Sequence, residues 1–147
     1  MAYQFSKSKS RKLQEWIVEQ VRAALPSEEI SIFSRLKGDI ANDVEDALST
    51  LGIAVVIEPP LPLAWSKTYL LKAETVESEV HILENVLLQT TQETAYSLLE
   101  TLAKALHEER CDELGGSVIT LGNVRDESPA DEPIIHFVLP LTNALNL

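Results

Sequence analysis

Glu74 to Asn85, ETVESEVHILEN, is the stretch that decides how this chain folds. Side chains alternate across a β-strand, so as a strand it places Val76, Val80 and Ile82 on one face and Glu77, Glu79 and His81 in a row on the other. Two carboxylates and an imidazole in a row admit four roles: half of a metal site, an acid/base pair, a wall that repels an anion, or the wet side of a sheet. Side chains two apart are separated by about 6.5–7 Å along a strand, which suits work around a substrate and is long for two ligands of one metal. No other stretch supplies an obvious third or fourth ligand, and polar residues opposite apolar ones mark any half-exposed antiparallel strand. The wet face is therefore the reading taken, with no catalytic, cofactor-binding or metal-ligating residue assigned.

Working outward, IAVVIE (53–58) is a β-branched run ended by Pro59-Pro60 and reads as a buried strand. A Pro-rich loop, PPLPLAWSKT, joins it to the long strand at about 70–84. Upstream, Ile40, Val44, Ala47, Leu48 and Leu51 line one helix face, and Gly52 sits where a left-handed cap is wanted. Ser10 can cap a first helix with Leu13, Trp16, Ile17, Val21, Ala24 and Leu25 at helical spacing and Pro26 as its stop. Between these helices SEEISIFSRLKG is ambiguous, ISIF fitting strand or turn. Downstream, Thr90 with Glu93 fits a capping box for a helix striped by Ala95, Leu98, Leu99, Leu102, Ala103 and Leu106. Gly115-Gly116 then separates it from SVITLGNV, and polar RDESPADE leads into IIHFVLPLTNAL, apolar on both faces and so a covered strand. The order predicts one α+β domain over 13–147, a four-stranded, mostly antiparallel or mixed sheet with helices packed on one side. Residues 1–12 read as a basic, flexible tail.

Composition narrows the function classes. A chain of 147 residues buries roughly 68–70% of its unfolded surface, enough for one core. It is 45% hydrophobic and 24% charged, which indicates neither disorder nor a fibre. No apolar run approaches the ~18 residues of a membrane span, and MAYQFSKSKSRK lacks an apolar signal core, so an intracellular protein without membrane contact is expected. The single cysteine, Cys111, fits a reducing compartment. Lys7, Lys9, Arg11 and Lys12 precede the first acid, Glu15. The 12 Lys and Arg less those four leave 8 against 23 Asp and Glu, a balance of −15 for the body. Such a body repels phosphate backbones, so direct sequence-specific nucleic-acid binding is not expected.

The remaining reactive side chains form no recognisable set. His107 and Cys111, four apart in HEERC, have the spacing of a shared helix face, but no CxxC or HxxxH completes a zinc site. His136 lies among apolar neighbours, where a hydrogen-bonded structural histidine is the ordinary finding. GxSxG, GxGxxG and P-loop motifs are all absent. Trp65 in the Pro-rich loop is either a core plug or an exposed contact anchor.

Taken together, KGDIANDVEDALSTLGIAVVIEPP, then ETVESEVHILENVLLQTTQETAYSLLETLAKALHEE, then IIHFVLPLTNAL resemble the tail terminator or tail-completion proteins of tailed phages and prophages, over roughly residues 38–145. The shared pattern is a helix ending in Leu-Gly, an apolar strand ended by proline, a long strand closing on Glu-Asn before a helix, and a last strand. The resemblance implies a non-enzymatic virion subunit made in the bacterial cytoplasm, with no cofactor. It implies self-association into a ring, commonly a hexamer, that caps the tail tube and joins head-completion proteins. Loops that reach a neighbour would then include Pro60, Leu63 and Trp65 in one and Arg125, Asp126 and Glu127 in the other. In a ring that passes DNA, Glu77 and Glu79 would line a wall that does not trap phosphates. The alternative from another class is a small cytoplasmic protein-binding adaptor or assembly chaperone.

Overall fold

The stretch 74–85 lies within a 15-residue strand, Leu71–Asn85, and the alternation is the one its spacing predicts. Val76, Ser78, Val80 and Ile82 are buried, whereas Glu77, Glu79 and His81 are half-buried on the opposite face. The computed structural model describes residues 8–25, 30–34, 40–67, 71–88 and 94–146. In chain order the helices are α1 (Lys9–Ala24), α2 (Ala41–Thr50) and α3 (Ala95–Leu106). The strands are β1 (Ser31–Ser34), β2 (Ile53–Ile57), β3 (Leu61–Lys67), β4 (Leu71–Asn85), β5 (Arg110–Cys111), β6 (Ser117–Val118), β7 (Thr120–Leu121), β8 (Arg125–Asp126) and β9 (Ile134–Asn146). None of the described helices is long and apolar enough to cross a membrane.

This is the expected α+β domain with a mixed sheet, but the sheet is larger than the four strands predicted. Seven strands join it, in the order β1-β2-β4-β9-β7, with β3 also on β4 and β8 also on β9. The additional strands are β1, β3 and β8. ISIF resolves as strand because it pairs in parallel with β2, Ser31 opposite Ala54 through Ser34 opposite Ile57. Seven residues of the Pro-rich stretch expected as loop form β3. Leu61 stands opposite Glu77 and Lys67 opposite Leu71, with register breaks after Pro62 and Ala64. Proline is tolerated there because, among the described residues, β3 pairs on one side only.

Strands β4 and β9 form the spine, antiparallel from Lys72 opposite Asn146 to Asn85 opposite Ile134. On the other side of β9, β7 pairs at Leu141 and Thr142 and β8 at Phe137 and Val138. SVITLGNV therefore pairs antiparallel with the last strand through β7, but that edge is interrupted before β8. Pro140 has no N–H to donate at the interruption, and its carbonyl accepts from Gly122 N–H at 2.9 Å.

Helices α1 and α3 pack on the face bearing Val76, Val80 and Ile82, through Leu13, Ile17 and Val21 and through Leu98, Leu102 and Leu106. The shorter α2 adds a second small cluster, Ala47 and Leu48 against Ala54, with Phe33 and Leu83 at its rim. Helix starts differ from expectation. Ser8, not Ser10, caps α1, accepting from Arg11 N–H at 3.2 Å, so Lys9–Lys12 are helical rather than tail. Thr90 and Glu93 lie outside the described residues. The capping box of α3 is Thr94 with Ser97, and Glu84 on β4 accepts from Ala95 N–H at 2.6 Å. Gly52 has φ +82°, as expected of a left-handed cap, and a Cβ there would sit 2.6 Å from the Leu88 carbonyl oxygen.

Candidate functional site

The face of the sheet opposite α1 and α3 gathers the polar groups. Antiparallel register sets His81 opposite Val138 and Leu83 opposite His136, which makes the two histidines diagonal neighbours on one face. His81 Nδ1 and His136 Nε2 lie 2.8 Å apart, and the rings are tilted by 41° with centroids 5.0 Å apart. His81 Nε2 approaches Glu79 Oε1 at 3.4 Å and Glu58 Oε1 at 3.8 Å, neither aligned for a hydrogen bond although Nε2 is buried. A lone pair on Nε2 would face two carboxylate oxygens, so we assign the proton to Nε2. His81 Nδ1 then accepts from His136 Nε2–H.

The polar turn after β8 completes the cluster by local chemistry. Asp126 Oδ1 accepts from Ser128 N–H at 3.0 Å and from its hydroxyl at 2.6 Å, while Ser128 Oγ accepts from His136 N–H at 2.9 Å. Glu127 N–H donates to the His136 carbonyl at 2.8 Å. This Asx-type turn holds the Glu127 side chain on the histidine face. Arg125, opposite Val138 in register, reaches across β9 to Glu79 Oε2 at 2.5 Å and holds Glu127 Oε1 at 3.3 Å. Val138, between His81 and Arg125, is fully buried although it lies on this open face.

These neighbours set the charge states. Burial first, then repulsion from His81 whenever that ring is protonated, holds the His136 imidazole below its ordinary range, against the pull of Glu127 and Asp126, which favours its neutral form. Hydrogen bonds from Ser128 lower the Asp126 carboxyl, and the bond to Glu79 raises the Arg125 guanidinium further. An open groove of about 410 Å³ adjoins, lined by Glu58, Pro59, Leu61, Glu77, Ser78, Glu79 and His81.

Several expectations change here. Glu77 and Glu79 do share the half-exposed face, but Glu79 is ion-paired, so the carboxylate row is partly neutralised. The expectation that no other stretch supplies partners for that row is corrected: Glu58, Arg125, Glu127 and His136 all reach it, from β2's end, β8 and β9. His136 is hydrogen-bonded, as read, and its partner is another histidine. The nearest sequence signal was parity on β4, where His81 alternates with core Val80 and Ile82; β9 is apolar on both faces, so parity did not mark His136. Pro60, Leu63 and Trp65 fall at or on β3, Trp65 opposite Ala73.

His107 and Cys111 do not share a helix face. Helix α3 ends at Leu106, exposed His107 is its C-cap, Glu108 takes φ +59°, and Cys111 turns inward on β5. Burial pushes the Cys111 thiol up, outweighing hydrogen bonds from Leu114 and Glu113 that lower it. A disulfide reagent at pH 8 is therefore expected to label Cys111 at least about tenfold more slowly in the native chain than in urea. Equal rates would show that this thiol is not buried. No protein-family model matches the sequence, and no curated protein matches it either.

Proposed function

We propose that this chain is a non-enzymatic structural subunit that closes into a ring, and that the ring is a tail terminator or tail-completion ring of a phage or prophage. One observation carries the reading. The two stretches expected to reach neighbours lie on opposite edges of one sheet, Pro60 to Trp65 at β3 beside β4, and Arg125 to Glu127 at β8 beside β9. Side-by-side closure is heterologous: each subunit must offer two different surfaces that fit each other. Each edge also carries an exposed apolar side chain, Leu61 at 63% exposure on one and Val124 at 44% on the other. The net charge of −11 fits a ring through which a polyanion passes without sticking. With Glu79 engaged by Arg125, that role would fall mainly to Glu77.

The ring is tested by native mass spectrometry and light scattering over a range of concentrations. A closed oligomer of one stoichiometry is expected, and Leu61→Asp or Val124→Asp should each reduce it to monomer while leaving the circular dichroism unchanged. A wild-type chain that stays monomeric at every concentration defeats the ring. The narrower role is tested by adding the chain to a polymerising tail-tube protein, where it should halt elongation. An adaptor or assembly chaperone is the second reading, favoured by the exposed Val86 and Leu87 in the turn after β4. It requires a monomer or dimer that captures one partner through that turn.

A further inference from the structure

The cluster around His81 goes beyond an assembly role. His81, His136 and Glu127 each offer one ligand atom, and the three atoms lie within 4.8 Å of one another. We propose that these residues form a binding site for a divalent transition-metal ion of the zinc class, through His81 Nδ1, His136 Nε2 and a Glu127 carboxylate oxygen. Two imidazoles and one carboxylate are a recurrent donor set for such an ion, while magnesium and calcium prefer all-oxygen sites.

Three observations besides proximity support the assignment. Ligating histidines hold their second ring N–H toward a carboxylate, which fixes the ring and raises its basicity. His81 Nε2 lies near two such carboxylates, Glu79 at 3.4 Å and Glu58 at 3.8 Å. That nitrogen is buried and lacks a hydrogen bond, while the ring's Nδ1 lies 2.8 Å from His136 Nε2 at the shared position. The local charge also favours a cation: Glu79, Asp126 and Glu127 lie beside the histidines, and Arg125 pairs with Glu79 and Glu127.

The geometry is close to a ligating one. Ligands at about 2.0–2.1 Å from a tetrahedral ion stand roughly 3.3 Å apart, so the two nitrogens, now at 2.8 Å, need to part by about 0.5 Å. Glu127 is exposed on its turn and can close onto the ion, and the fourth position is left to water or a partner's side chain. The proton balance is simple. His81 Nδ1 already presents its lone pair, and the His136 proton moves from Nε2 to Nδ1, so the imidazoles lose none. The ion would clip the turn after β8 to β4 across β9, stiffening one of the two edges. The site stands whether or not the chain forms rings.

The full chain, stripped of metal with EDTA, is titrated with Co²⁺ followed by visible absorption, and with Zn²⁺ against a colorimetric chelator. One equivalent of Co²⁺ should give the d–d bands of a four- or five-coordinate nitrogen and oxygen site, and Zn²⁺ should bleach them. His136→Ala should abolish the bands, whereas His107→Ala and Cys111→Ser, which remove other soft donors, should leave them unchanged. If His136→Ala fails to fold by circular dichroism, Glu127→Gln on the exposed turn replaces it, with affinity expected to fall at least about tenfold. Absence of saturable binding at one equivalent overturns the site. So does binding that survives His136→Ala, or Glu127→Gln where that variant is used.

Discussion

Val80→Asp is expected to leave no folded protein at 25 °C and neutral pH. Val80 is fully buried at the centre of β4, with Ile57 opposite on β2 and Leu139 opposite on β9. All three belong to the main apolar core cluster, none of whose residues is charged. Burying an unpaired charge costs several kcal/mol even after the surroundings relax, a large part of the about 5–15 kcal/mol that holds a domain of this size together. One residue earlier, Glu79→Gln removes a charge from the opposite, half-exposed face. It should fold and shift the urea midpoint only slightly, because an ion pair in contact with solvent contributes little. Circular dichroism and urea unfolding of both variants check the face assignment. A Val80→Asp chain that unfolds cooperatively near the wild-type midpoint would contradict it.

Leu102→Ala is the second large effect, expected at about 2–5 kcal/mol of lost stability and a fall in Tm of about 5–15 °C. Leu102 is fully buried on α3, in one cluster with Leu98 and Leu106 and with Leu13, Ile17 and Val21 of α1. Deleting its isobutyl group removes apolar contact and leaves a cavity that two helices and a sheet cannot easily close. Leu87→Ala, at a position 79% exposed, serves as the control and should stay within about 0.5 kcal/mol of wild type. Thermal unfolding followed by circular dichroism measures both. Equal shifts would show that α3 does not bury the stripe Leu98, Leu102 and Leu106.

Much of the fold was legible because it is written in local periodicity. Alternation in 74–85 identified β4 and both its faces, and helical spacing identified α1, α2 and α3 within a few residues. The last strand reads as apolar on both faces because it is covered on both. Phe137, Leu139, Leu141 and Leu145 face the helices, while Val138 and Pro140 are buried on the other side where Arg125 crosses to Glu79. Helix starts were less legible. Ser10 was the cap expected for α1, whereas the helix starts two residues earlier, at Lys9, with Ser8 accepting from Arg11 N–H.

The Pro-rich stretch was misread for a related reason. Proline marks a poor strand only where both edges must pair, and nothing local tells an edge from a centre. By itself, then, the sequence determined the three helices and the strands β2, β4 and β9, the apolar face of β4 and of each helix, and that the body is strongly acidic, since all of these follow from residue type and spacing. Only the tertiary structure decided that His81 and His136, 55 positions apart, meet, and that Arg125 and Glu127 close over them. That meeting depends on the register between β4 and β9. A shift of one residue there would turn the two histidines to opposite faces, and register is fixed by how the whole sheet packs on α1 and α3.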